Sequence, residues 1–437
     1  MKTGTFRLTL MVAILAVALL MPATALAKSF FIERGLIGLS LGPSDDYGTP
    51  DLSGNNIVYV QRSSVAGSKW YVRRFNLATA AKSVVAADAA YDLSSPAIDG
   101  DWVAWVRNTD IRAKNIKTGT VKNVTNDGAT TFEAGPMVSG NYVVWWTGTA
   151  KVMAKNLSNS NAPFQVGAGT GGQYNPSIFG KRVAYLDSSN GHWNVYVKTI
   201  GSSAAPKRIT DNAVTQADPS IGSHLVAWRV GNASGHWMIR YFDYNTGETY
   251  DGPTSTTHDM LNPQVSGDRI LYDVSNGTSQ DLIAWDTRVA KTAGVFSLFS
   301  LADTTQDDHW GKISGNEVVF MTGVTPYWGR LATPGISLNS TPKRIAHGAR
   351  LRLAGSISDQ GHRVGFAKLG VERYVSGKWA RIKTITASSA GAFSTTTPKN
   401  YVKRQYRVVY DGTTSLFDAN AIKHLSTTSK AKTAWPR

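Results

Sequence analysis

Acidic side chains recur at one register of this chain. Asp46, Asp92, Asp259 and Asp307 each stand four residues ahead of a repeated phrase. Asp308, His258 and His309 adjoin them, and Glu133 stands three residues ahead of another copy. Carboxylates that converge offer hard oxygen ligands, so the set points to a Ca²⁺ site or to a pocket for a polar or cationic ligand. The competing reading has each carboxylate capping its own turn, bound to backbone N–H groups two residues on. Tyr47, Tyr91, Phe132, Tyr174 and Trp310 lie nearby, placed either to stack on sugar rings or to pack the rim. His192 and His236 read as solvated turn residues. Other chemistry is missing from the sequence. There is no Gly-x-Ser-x-Gly elbow, no His-Glu-x-x-His and no phosphate loop. The chain has no Cys, which excludes disulfides, thiol nucleophiles and thiolate metal sites.

The phrase itself supplies the elements that would bring these residues together. It reads Pro, any residue, Ile or Val, any residue, Gly, two residues, then an apolar triplet ending in an aromatic. Its copies begin at Pro50, Pro96, Pro136, Pro176, Pro219, Pro263 and Gly311, spaced 46, 40, 40, 43, 44 and 48 residues apart. Pro219 opens a copy whose Gly has moved by one place, and Gly311 replaces the Pro of the last. A period of about 40–45 residues without helical patterning matches blades of four short strands. The fifth-place Gly fits a turn needing positive φ. The closing aromatics, Tyr59, Trp105, Trp145, Tyr185, Trp228, Tyr272 and Phe320, read as central-strand rings packed between blades. Asn175 to Asp218 shows one unit: SIFGKRVAYLD as a strand, SSNGHW as a hairpin turn, NVYVKTI and PKRITD as further strands. The expected fold is all-β, a seven-bladed β-propeller whose last blade is completed by the opening segment Ser29 to Leu41. In that ring the four Asp-bearing units are neighbours.

The stretch NPSIFGKRVAYLDSSNGHWNVYVKTI resembles the surface-protein β-propeller repeats of methanogenic archaea and bacteria. It is more distantly similar to the TolB-type propeller, and the resemblance covers Pro50 to about Thr333. The Gly-x-Trp turns at Gly191-His192-Trp193 and Gly235-His236-Trp237 belong to the same likeness. It implies a binding surface rather than one defined activity. The chain lacks the N-terminal domain of the TolB kind, so no Tol–Pal role follows.

Charge divides the chain again. Residues 28–333 carry 26 Lys plus Arg and 26 Asp plus Glu, whereas residues 334–437 carry 18 basic and 4 acidic residues. Alternating runs such as ARLRLAGSIS and QYRVVYDG make the basic part a small β-sandwich, and GKWARIKTITASSAGAFS resembles immunoglobulin-like modules of bacterial exported proteins. Lys2, Arg7, the apolar run Leu8 to Met21 and Ala25-Leu26-Ala27 form a secretory signal. The expected organisation is therefore 1–27 signal peptide, 28–333 propeller, 334–425 immunoglobulin-like sandwich and 426–437 disordered tail. The expected product is secreted or held at the cell surface, without a transmembrane segment once the signal is cleaved. The function expected on this basis is a non-catalytic binding or scaffold protein. Its propeller would bind a protein or cell-envelope polysaccharide, and its basic module would associate peripherally with anionic surfaces, not nucleic acid. The alternative is a polysaccharide-active lyase or glycosidase using the Asp-rich mouth.

Overall fold

The computed structural model describes residues 35–36, 45–63, 69–126, 131–167, 169–287, 297–302, 308–322, 325–330, 335–338, 344–359, 362–363 and 368–410, with short strands between 414 and 436. The signal region 1–27 lies outside them. The described residues form strands and turns without a helix, so none is long and apolar enough to cross a membrane. The chain separates into two compact parts, one spanning Leu36–Trp328 and the other Gly329–Arg437 with the N-terminal residues to Gly35.

In the larger part each phrase makes the first two strands of one antiparallel sheet. The unit of Pro176 runs Gln173–Phe179, Arg182–Asp187, Asn194–Thr199 and Lys207–Arg208, each strand pairing with the next. SIFGKRVAYLD is thus two strands, not one. Gly180, at φ 60°, turns the chain between them, a conformation an L residue with a Cβ resists. The same order recurs in sheets opening with Leu93–Asp99, Glu133–Ser139, Gln216–Ile221 and Asp259–Ser266. The sheet of Asp51–Ser53 also takes up Asp45–Tyr47. The sheet of Asp308–Ser314, Glu317–Thr322 and Thr325–Arg330 is completed by Gly35–Leu36, so chain from near the N-terminus finishes the last sheet.

The core lies between sheets. Trp145 packs with Ala97, Trp102 and Ile111 of the preceding unit, and Tyr185 packs with Val144 and Val152. Trp228 does so with Ala184 and Val195, and Tyr272 with Leu225 and Ile239. Tyr59 meets Val319 of the final unit, and all the closing aromatics are buried. The first strands touch their neighbours in sequence, and Asp308–Ser314 touches Asp51–Ser53, which closes the cycle. Gly311 stands where the other copies have Pro, and a side chain there would collide with Leu282 and Leu271.

A hydrogen-bonded belt ties the Gly ends of these strands together. Gly100 N–H donates to Ser53 Oγ (3.1 Å), Gly140 N–H to Asp99 Oδ2 (2.7 Å), and Gly180 N–H to Ser139 Oγ (2.9 Å). Gly315 N–H donates to Ser266 Oγ (2.8 Å), and Gly54 N–H to Ser314 Oγ (3.3 Å). In five of the seven copies the fourth place of the phrase, read from sequence as free, is the acceptor for the next unit's Gly; the other two copies carry Phe179 and Gly222 there. Such a bond contributes about 1 kcal/mol.

In the smaller part, Arg350–Asp359 pairs with Gly335–Leu338, His362–Arg363 and Ala392–Lys399. A second sheet holds Lys368–Val375 between Lys378–Thr386 and Arg404–Tyr410. Ile357 and Phe393 of the first meet Leu369, Val408 and Tyr410 of the second, so two sheets share one core. The segment expected as a disordered tail differs. Thr427–Thr428 and Lys432–Pro436 both pair with Arg404–Tyr410, whose edge offers unpaired backbone groups.

Candidate functional site

Among the described residues, the carboxylates singled out in the sequence do not form a cluster. Glu133 is buried, accepts from Trp145 Nε1 (3.3 Å) and is bonded by Thr125 Oγ1. Asp308 is fully buried and accepts from Thr322 Oγ1 (2.5 Å). Asp259 binds Trp237 N–H (2.8 Å) and His236 Nδ1 (3.2 Å). Asp92 is exposed, and its carbonyl accepts from Asn108 N–H. His258 bonds within its own loop to Thr257 Oγ1 (2.8 Å), and His309 lies edge-on to Trp310 at 4.4 Å. Asp46 pairs through its strand with Arg62. Asp307 lies outside the described residues. Among the described residues no group of three or more His, Asp or Glu is placed to hold a metal ion.

The chemistry lies three residues further along. In each of six units the residue just ahead of the phrase has positive φ: Ser95 (48°), Gly135 (57°), Asn175 (50°), Asp218 (48°), Asn262 (51°) and Trp310 (52°). The register of the first strand slips at the same place. A bulge of this kind re-aims side chains, and Asn, Asp and Gly tolerate its left-handed backbone. Gly135, Asn175, Asp218 and Asn262 converge with Met137, Ser177, Ser220, Gln264 and Lys312 on one cavity of about 210 Å³. The sequence signal was present, since Gly-Pro, Asn-Pro and Asp-Pro dipeptides mark turns. The residue before Pro normally prefers extended backbone, which is why a shared register of bulges did not stand out.

Polar contacts hold the wall. Asn175 Nδ2 donates to Asp218 Oδ1 (3.1 Å), and Arg229 pairs with Asp218 Oδ2 (2.6 Å) while covering the Trp237 ring at 4.5 Å. Lys312 Nζ donates to Gln264 Oε1 (3.1 Å). Behind them, Asp273 is fully buried; its Oδ2 accepts from Asn262 Nδ2 (2.7 Å) and Trp310 N–H (3.1 Å), while Oδ1 has no partner. Burial pushes the Asp273 carboxyl up to about 6, against those hydrogen bonds and the Lys312 charge. Burial also raises Asp51, opposed first by Lys312 and then by the Ile98 N–H. An aromatic row approaches the cavity: Phe132, Trp146, Tyr174 and Trp193 meet edge to face at 5.7, 5.1 and 5.3 Å. The site therefore offers amide and hydroxyl groups, one ion pair, one lysine and flat apolar rings.

Neither a protein-family model nor a curated protein matches the sequence. Solved structures match in shape. The β-propeller domain of the trilobed protease from Pyrococcus furiosus aligns at TM-score 0.50 and 10% identity, over 69% of this chain and 94% of that one. A puromycin hydrolase aligns at TM-score 0.51 and 12% identity, over 73% of this chain and 60% of that one. The repeat region is a β-propeller. The chain spans about six-tenths of the hydrolase's length. These neighbours overturn the expectation of a non-catalytic binding or scaffold protein, because the propellers of this shape come from a protease and a hydrolase. Of the acidic residues set near the mouth, Glu133 and Asp308 are buried in hydrogen bonds.

Proposed function

We propose that this chain is a peptidase-associated propeller that admits and positions peptide at the bulge-lined cavity. In this reading the repeat sheets are seven blades, the smaller part is an immunoglobulin-like module, and the leader sequence sends the protein out of the cytoplasm. The observation that carries the proposal is the cavity wall. Asn175, Asn262 and Gln264 present amides and Asp218–Arg229 an ion pair, backed by Ser177 and Ser220 whose hydroxyls accept from Ile221 and Val265 N–H, on a fold shared with a protease and a hydrolase. An extended peptide leaves its backbone N–H and C=O groups unpaired, and such a wall answers both kinds. Bond cleavage would belong to a peptidase domain working with the propeller.

Fluorescence anisotropy of labelled, unstructured peptides titrated with the full chain tests this. Binding in the range of roughly 1–100 μM is expected, with loss of at least about tenfold in Asn175→Ala and Gln264→Ala. Absence of peptide binding, or binding indifferent to both substitutions, would remove the proposal.

A further inference from the structure

We propose that the indole of Trp310 is the surface on which this site holds an apolar side chain of the bound peptide, aromatic or large aliphatic. The inference rests on the peptide reading above and assigns its side-chain preference. Trp310 occupies the bulge position with φ 52°, where the other units carry Ser95, Gly135, Asn175, Asp218 and Asn262. Those residues are small or suited to left-handed backbone; a bulky ring there costs on the order of 1–3 kcal/mol. Packing does not offset that cost, since Trp310 is 45% exposed. The surroundings hold it nonetheless. Its backbone N–H donates to the buried Asp273 carboxylate (3.1 Å), which also accepts from Asn262, and the His309 ring lies edge-on to the indole at 4.4 Å. Asn262 and Lys312, the latter two residues along, both line the cavity. An exposed ring on a strained and clamped backbone, beside a polar cavity, is arranged for contact with a ligand. The indole supplies apolar area at little conformational cost, while the amides of Asn262 and Gln264 remain at hand for the peptide backbone.

The test uses two labelled peptides that differ only in one central residue, Phe or Gly, titrated against the full chain. The unaltered protein is expected to prefer the Phe peptide by about tenfold. Trp310→Asn, which installs the residue type of positions 175 and 262, should abolish that preference without lowering the thermal midpoint. Trp310→Phe should restore most of it. A Trp310→Asn protein that keeps the preference overturns the inference and leaves the peptide reading intact. Loss of preference that comes with a lowered midpoint and is not rescued by Phe assigns Trp310 a structural role, which also overturns it. If the unaltered protein binds neither peptide, the peptide reading fails and this inference fails with it.

Discussion

The two ends of the first strands behave differently. At the Gly end the phrase repeats, and its fourth residue serves one purpose: Ser53, Asp99, Ser139, Ser266 and Ser314 each bind the next unit's Gly N–H. At the bulge end the backbone conformation repeats but the side chains do not, running Ser95, Gly135, Asn175, Asp218, Asn262 and Trp310. Acceptor side chains at five of the seven copies join unit to unit; varied side chains on a repeated backbone make a surface. The lesson is that repetition in this chain marks assembly and that chemistry sits where conformation is kept while residue type is released.

Breaking that contrast gives graded effects. The largest falls on neighbours in sequence, Trp145 and Trp146. Trp145 is 1% exposed and packs against the preceding unit, so Trp145→Ala should cost about 3–5 kcal/mol in chemical denaturation. Trp146 lies in the aromatic row at the cavity, so Trp146→Ala should weaken peptide binding far more than it lowers stability. Equal stability losses would erase the distinction.

Next comes the belt. Asp99 accepts from Gly140 N–H (2.7 Å), Ser53 Oγ (3.1 Å) and Ser139 Oγ (3.4 Å), so Asp99→Ala should cost about 1.5–3 kcal/mol, and Ser139→Ala, which frees Gly180 N–H and removes only the longest of the Asp99 bonds, about 1 kcal/mol. Peptide affinity should be unchanged in both when measured well below the unfolding midpoint.

A further effect, confined to a pH window, is a proton linkage at the bulge end. Asp273 has its folded carboxyl raised to about 6, so between about pH 4 and 6 the folded state holds a proton that the unfolded chain releases. Its contribution is therefore present at low pH and is lost as pH rises through that window. Asp273→Asn should flatten this part of the stability profile relative to the unaltered protein. An unchanged difference across the window would show that Asp273 does not titrate there.

Much of the fold was legible in the sequence. Pro, Gly and the closing aromatic gave the repeat, and the buried rings sit on central strands between units as their spacing required. The fourth phrase residue was not legible, because its partner lies 41 residues on in the case of Asp99 and Gly140. The bulge-lined cavity was not legible for a related reason. Carboxylates ahead of the phrase were conspicuous by type, yet Glu133 and Asp308 are spent on Trp145 and Thr322 inside their own units. The bulge that turns Asn175, Asp218 and Asn262 toward a common cavity is a backbone event, and single-residue identities carry it only as Asn-Pro and Asp-Pro pairs. The C-terminal strand Lys432–Pro436 was hidden by its polar neighbours, although pairing needs only backbone.

Amide hydrogen exchange with and without saturating unstructured peptide tests the central claim most directly. Added protection is expected at 173–175, 216–218 and 308–310, with the Gly ends at 100, 140 and 180 unchanged. Protection confined to the Gly ends, or none at either end, would contradict it.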